Sequence, residues 1–458
     1  MSFAPDASVA ADALPTIYAP ATGPGAGAVA VIRISGTRAG AVVTALAGHL
    51  PEPRRAMVAA LRAPESGDPL DMALILWFPA PASYTGEDVA ELHIHGGRAV
   101  QQGVLDVLAG LPGLRLAEPG EFTRRAFENG KLDLTAAEGV ADLVAARTAG
   151  QRRQALAQMA GGLGGLYDGW RDALVRVLAH LEADIDFPDE DLPAGIAQSA
   201  RDSLAQVTRA LVEHIDDDGR GERVRDGFRI AIIGAPNAGK SSILNRLARR
   251  DAAIVATTAG TTRDVVEVRM DLAGFEVVLA DTAGLRETGD EIEREGVRRA
   301  RLAAEAADMR LIVVDASTWP AIDPAVGALV NDTALLLLNK ADLVAAEKLA
   351  VPAGVADNWP IRAVSAMTGA GIEALLATLG RTVAARLGAA ESVPLTRARH
   401  RAALIEARDA LFRSAEADVP ELVAEDVRLA VRALGRITGR VDIDDILDVI
   451  FRDFCIGK

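Results

Sequence analysis

The sequence predicts a multidomain α/β + α chain: an N-terminal α+β domain, then a helical domain interrupted by an inserted P-loop domain with a mostly parallel sheet. Three observations predict it. Short β-rich runs crowd residues 17–130, and helix-period apolar stripes lie on both sides of the middle of the chain. Between those stripes strands and helices alternate, with glycine-rich or polar motifs at the strand ends.

The early strands are Ala28–Ile34, Ala73–Phe78 and Val89–His95. Ser-Gly ends the first and Pro the second, and Gly96-Gly97 closes the alternating third. From about residue 135 the period changes. Leu166, Trp170, Leu174, Val177, Leu178, Leu181 and Ile185 fall on one helix face, and the acidic, Pro-containing stretch 186–193 breaks that helix. The inserted unit opens with the strand Phe228–Ile233 and runs to about 385. After Pro394 the chain is helical again, and Ile443, Ile446, Leu447, Ile450 and Phe454 form a terminal apolar stripe. The expected boundaries are 1–130, 131–227, 228–385 and 386–458.

Composition sets bounds. The 458 residues exceed one core. No 18-residue apolar stretch escapes a charge, so no membrane span is expected, and the N-terminus lacks the pattern of a signal peptide. A single cysteine, Cys455, excludes an internal disulfide framework and suits a reducing cytoplasm. A net charge of −15 argues against a broad basic surface for nucleic acid, though not against a local patch.

Four motifs in order define the inserted unit as a guanine-nucleotide site: Gly234–Ser241, Gly260–Asp264, Asp281–Gly284 and Asn339–Asp342. Gly234 and Gly239 let the backbone wrap phosphates, and the loop Asn237, Ala238, Gly239, Lys240, Ser241 and Ser242 supplies N–H groups, an ammonium and hydroxyls. Ser241 and Thr262 are the expected Mg²⁺ ligands, with Asp281 reaching the ion through water and Gly284 donating its N–H to the γ-phosphate. Asn339, Lys340 and Asp342 select guanine: the Asp342 carboxylate accepts two hydrogen bonds that adenine cannot supply on that edge. Ser365 and Ala366 are placed at the guanine carbonyl. Leu285 stands where Ras-like GTPases carry a water-orienting glutamine, so hydrolysis needs another group.

Together with its flanks, the motif set resembles the MnmE (TrmE) family of tRNA-modification GTPases. The flanking matches are Gly25–Ala28, Ile32–Gly36, Ser83–Val89, His95–Gly97, Pro119–Phe127, Asn129–Leu134 and the terminal Phe454-Cys-Ile-Gly-Lys458. The resemblance implies an N-terminal folate-binding and dimerisation domain, and a GTPase acting in modification of the tRNA wobble uridine at carbon 5. The one-carbon unit would come from 5,10-methylenetetrahydrofolate, with 5-formyltetrahydrofolate as a bound analogue. It further implies a homodimer joined by an FAD-containing flavoprotein, MnmG (GidA), in a heterotetramer. It places K⁺ beside the phosphates, bridging G domains into a transient dimer, with Asn237 as a ligand and Ala256, Thr258 and Thr261 in the surrounding loop. Glu293 is the glutamate implied to position water.

Cys455 is either a small buried hydrophobe or a thiolate facing the one-carbon unit. Arg33 and Glu91 are charges in apolar strands and need partners; Arg33 could pair a folate carboxylate or an internal acid. Arg124, Lys131 and Lys458 complete the folate candidates. His93 and His95 share a strand face with Glu91, and without a third ligand they read as structural or substrate-contacting rather than zinc-binding. For tRNA, Arg397–Arg401 and the series Arg428, Arg432, Arg436, Arg440 are local basic stretches, the second a stripe if its helix runs through Gly435 and Gly439; a solvated, carboxylate-paired face is the competing reading. The alternative functions are a GTPase assembly switch on ribosomal RNA and a folate enzyme acting on a small amine or protein.

Overall fold

The computed structural model describes residues 14–23, 25, 27–186, 196–249, 253–254, 267–281, 301–350, 360–388, 394–441, 444–452, 454–455 and 457. Two compact units emerge, one from residues 1–141, 159–171 and 432–458, the other from 142–158 and 172–431.

The first unit carries a six-stranded sheet of β1 (Thr16–Pro20), β2 (Val29–Ser35), β3 (Met57–Arg62), β4 (Pro69–Phe78), β5 (Val89–His95) and β6 (Leu114–Leu116). The order is β3-β4-β5-β2-β1-β6, antiparallel except for the β1–β6 pair. Strand alternation settles the faces. Ala30, Ile32, Ile34, Leu92 and Ile94 point to a core closed by the helices Ala39–Ala47 and Arg98–Gly110. Arg33, Glu91 and His93 therefore take the other face, where Arg33 and Glu91 sit directly opposite in the β2–β5 register. Helix Glu121–Glu128 and the terminal helix Asp444–Arg452 pack on each other beside this sheet. Leu134, Ala137, Leu447, Phe451 and Phe454 fill the space with Phe127 and Ile450. Phe451 belongs to the terminal stripe although the apolar pattern alone did not include it.

The second unit holds β7 (Phe228–Gly234), β8 (Ala253–Ile254), β9 (Glu267–Leu272), β10 (Phe275–Asp281), β11 (Met309–Asp315), β12 (Ala334–Asn339) and β13 (Ile361–Ala363). Their order is β13-β12-β11-β7-β10-β9-β8, parallel from β13 to β10, with the β8–β9–β10 edge antiparallel. Near-continuous apolar runs in β7, β11 and β12 fit strands covered on both faces, as a parallel sheet requires. One face packs on helices Lys240–Ala248 and Ile372–Leu387 through Ile243, Leu244, Leu375 and Leu379. The other is covered around Trp319, Val326 and Ala304. The helical part of this unit brings Ile196–Ile215 against Ala398–Glu416.

Three expectations need correction. On helix Gly162–Asp186 Leu174 and Val177 are buried as expected, but Leu166 and Trp170 are only half-buried, and Leu163 and Tyr167 take the covered positions in the first turns. Helix Pro420–Thr438 stops at Gly439, whose φ of +85° leaves the helical region, so Arg440 cannot extend the Arg428–Arg436 row. Arg397 and Arg401 are not a free basic patch. Arg397 bonds Asp142 at 2.8 Å, and Arg401 bonds Asp217 at 2.9 Å and Glu222 at 3.1 Å, with His400 buried between them in sequence.

Candidate functional site

Parallel α/β sheets place their ligand loops at the C-terminal strand ends. Here β7 ends in Gly234, β10 in Asp281, β11 in Asp315 and β12 in Asn339, so one sheet edge carries three of the four motifs. The loop after β7 turns through Asn237 (φ +62°) and Gly239 (φ +93°) into the helix that begins at Lys240. Gly239 cannot be replaced without strain: a Cβ there would stand 2.2 Å from Asn339 Nδ2. The Lys240 ammonium is buried and donates to the carbonyls of Gly234 (2.8 Å) and Ala235 (3.0 Å), which centres positive charge inside the loop. Ser241 and Ser242 are exposed at the first turn of that helix, where hydroxyls and N–H groups can meet a Mg²⁺-phosphate group.

Asn339 joins the motifs. Only 1% exposed, it donates from Nδ2 to Ala238 O at 2.8 Å and accepts at Oδ1 from Ala366 N at 3.1 Å. One side chain thus ties the phosphate loop to the Ser365-Ala366 loop. Ser365 is buried and braces its own turn by accepting from Thr368 N at 3.0 Å, while Val364 O accepts from Ala341 N at 3.1 Å. Asp342, on the 3₁₀ turn Ala341–Leu343, is exposed and its carboxylate is open to a base. Sequence reasoning missed Asp315. Its Oδ2 accepts from Lys340 Nζ at 2.6 Å, and that ammonium holds the carboxyl down to about 2. The signal was present in the strand-ending acid at the same sheet edge. Thr262, Gly284, Glu293, Ala256, Thr258, Thr261 and Lys458 lie outside the described residues, and Asp281 is described only as the end of β10.

On the open face of the first sheet, Arg33 meets its internal acid. Its Nη2 and Nε donate to Glu91 Oε1 at 2.9 and 3.1 Å, and His93 Nε2 lies 3.4 Å from the other Glu91 oxygen. The guanidinium stands over the rings of Tyr84 (5.2 Å) and Phe122 (5.7 Å), a partly desolvated cation–aromatic nest. Burial pushes the Tyr84 phenol upward, and its hydroxyl pairs with Thr123 at 2.8 Å. Of the other candidates, Arg124 is committed to Asp448 (2.8 Å) and Glu128 (3.1 Å), and Lys131 donates to Pro81 O at 3.0 Å. His95 is largely exposed and bonds Asp71 at 2.7 Å, away from the Arg33 group.

The residue next to Arg124 matters more to this region. Arg125 is buried and binds Glu87 at 3.0 Å, Glu121 at 2.9 Å and Pro15 O at 2.9 Å. Burial would raise the Glu121 carboxyl, but hydrogen bonds from Arg115, the Glu118 amide and Arg125 bring it below its usual range. The i, i+4 spacing of Glu121 and Arg125 was the available signal. Cys455 is exposed, and its carbonyl accepts from Gly120 N at 3.4 Å. Gly120 caps helix Glu121–Glu128, which carries Phe122, so the C-terminal tail lies against the start of that helix. Lys131 makes its hydrogen bond elsewhere, to Pro81 O.

Residues 16–131 match the family model described as the GTP-binding protein TrmE N-terminus, and residues 134–455 match the MnmE helical domain. Among curated proteins, the chain is 56% identical to a tRNA modification GTPase MnmE of Rhodospirillum rubrum, covering 97% of this chain and 99% of that protein. It is 54% identical to the proteins of the same name from Paramagnetospirillum magneticum and Parvibaculum lavamentivorans, covering 97% of this chain and 99% and 100% of theirs.

Proposed function

Since the chain belongs to the MnmE family of tRNA modification GTPases, we propose that it hydrolyses GTP to drive modification of the tRNA wobble uridine at carbon 5. The observation that carries the nucleotide half is Asn339, whose one amide links the phosphate loop at Ala238 to the base loop at Ala366. A nucleotide seated there would contact Lys240 and Ser241 with its phosphates and Asp342 with guanine. Mg²⁺ held by Ser241 and Thr262 would offset phosphate charge, and K⁺ at Asn237 would do the work that an arginine does elsewhere.

The uridine chemistry belongs to the first unit. Arg33, Glu91 and Tyr84 offer an aromatic-walled, charged nest suited to a folate, with Cys455 on the neighbouring tail. The Arg33–Glu91 pair is preformed, so a folate carboxylate would share the guanidinium rather than find it free. In this reading a tetrahydrofolate one-carbon unit bridges uridine and an amine. A homodimer joined by an FAD-containing flavoprotein carries the reaction out in the cytoplasm. No helix among the described residues is long and apolar enough to cross a membrane. The ribosomal-RNA switch is the weaker reading, because the N-terminal and helical family models together span nearly the whole chain.

The test is wobble-uridine modification in vitro with the flavoprotein present. Cys455→Ser should abolish modification while GTP hydrolysis continues; retained modification removes the thiol from the mechanism. Rates of GTP hydrolysis in K⁺ should exceed those in Na⁺ by at least about tenfold if K⁺ supplies the missing charge. Equal rates would defeat that role. Glu293→Ala should slow hydrolysis and leave GTP binding nearly intact.

A further inference from the structure

Asp315 ends β11, and the register places it directly opposite Asn339, the last residue of β12. Its two carboxylate oxygens have separate tasks. Oδ1 accepts from the Ser317 amide at 2.9 Å and the Ser317 hydroxyl at 2.7 Å, which sets the carboxylate plane. Oδ2 accepts from Lys340 Nζ at 2.6 Å. Lys340 itself turns through φ +62° into the short 3₁₀ turn that carries Asp342. Its ammonium is therefore drawn from the end of one strand to the end of the next, and its stem spans the gap between them.

We infer that Asp315 is a positioning residue for guanine-nucleotide binding: it fixes the Lys340 side chain and the Lys340–Asp342 turn before nucleotide arrives. The inference rests on reading Asn339–Asp342 as the guanine-binding segment. A free lysine side chain samples many rotamers, and binding would otherwise have to remove that freedom. Asn339 is held by Ala238 and Ala366, so its neighbour Lys340 is the part of the motif still needing a tether. Asp315 supplies it from a strand end that does not belong to any of the four nucleotide motifs.

Equilibrium binding of Mg²⁺-bound GMPPNP and steady-state GTP hydrolysis test this on the full chain. D315N keeps an acceptor for Ser317 and loses the charge that holds Lys340; D315A removes both. Each should weaken nucleotide binding about tenfold and raise KM with kcat near the wild-type value, as loss of uniform binding requires. The deciding measurement is the double-mutant cycle with K340M. D315N/K340M should bind no more weakly than K340M alone. Wild-type affinity in D315N, or a loss that adds in full to that of K340M, overturns the inference. D342N, tested beside them, should trade guanosine for xanthosine triphosphate, because an amide donor suits the xanthine carbonyl. If D342N makes no such trade, the guanine-segment reading itself fails; if it does and the cycle is additive, only the role of Asp315 falls.

Discussion

At the scale of the residue, buried polar groups are informative because each must be satisfied. His214 is a case outside the nucleotide site. It is buried near the end of helix Ile196–Ile215, and desolvation presses its imidazole below the usual 6.5; Arg401 and His400 add to this, and Asp217 opposes it. The folded chain thus binds a proton less readily than the unfolded chain. Stability from this group is present above pH 6.5 and is lost as pH falls toward the lower folded value. Each unit of depression corresponds to about 1.4 kcal/mol. Urea unfolding at pH 7.5 and 5 should show His214→Gln losing less stability on acidification than the wild type. An equal loss in both proteins would mean that His214 does not couple to folding.

At the scale of the element, the β9–β10 hairpin is gripped at its turn. Gly150 N, at the start of helix Ala149–Met159, donates to Gly274 O at 2.7 Å. Gln151 Nε2 reaches Glu276 Oε2 at 2.6 Å, and Glu276, 4% exposed, also accepts from Arg269 at 3.1 Å. A polar cavity of ≈ 550 Å³ opens beside them, lined by Arg147, Arg225, Arg229 and Arg269. A Cβ on Gly150 would lie 2.8 Å from both Gly274 O and the Phe275 ring. Gly150→Ala should therefore cost about 1–3 kcal/mol, read as a lowered urea midpoint with unchanged slope. A midpoint within error of wild type would show that the turn yields freely.

Elements of this kind divide what sequence discloses from what it withholds. Several strands of both sheets were legible, since alternation in Val89–His95 and the apolar run Ala334–Leu338 state their own burial, while Thr16–Pro20, Met57–Arg62 and Met309–Asp315 were passed over. The phosphate and base loops were legible because their chemistry demands fixed spacings. Arg125 and Glu276 were not, although each is a buried charge in plain view. Glu121, four residues before Arg125, is a local hint, but the other partners, Glu87 for Arg125 and Gln151 for Glu276, are distant in sequence, and no local period announces those pairings. The arginine row from Arg428 ends at Arg436, short of Arg440, for a different reason. Helical spacing carries meaning only while the helix lasts, and Gly439 ends it.

At the scale of the whole molecule, the chain forms two compact units, and each draws on separated stretches of sequence. The nucleotide motifs belong to one of them. GTP at 100-fold over its Kd stabilises the state that binds it by about 2.7 kcal/mol. Scanning calorimetry with GMPPNP should resolve two transitions, of which one rises and the other stays in place. A single transition moving as a whole would show that the units unfold together. The exposed thiol of Cys455 offers a different use at this scale. It is the one sulfhydryl in the 458 residues, so a maleimide dye can attach nowhere else and needs no engineered cysteine-free background. Titration with such a dye counts polypeptides one for one, and its emission becomes a native gauge of what happens at the tail while nucleotide is exchanged.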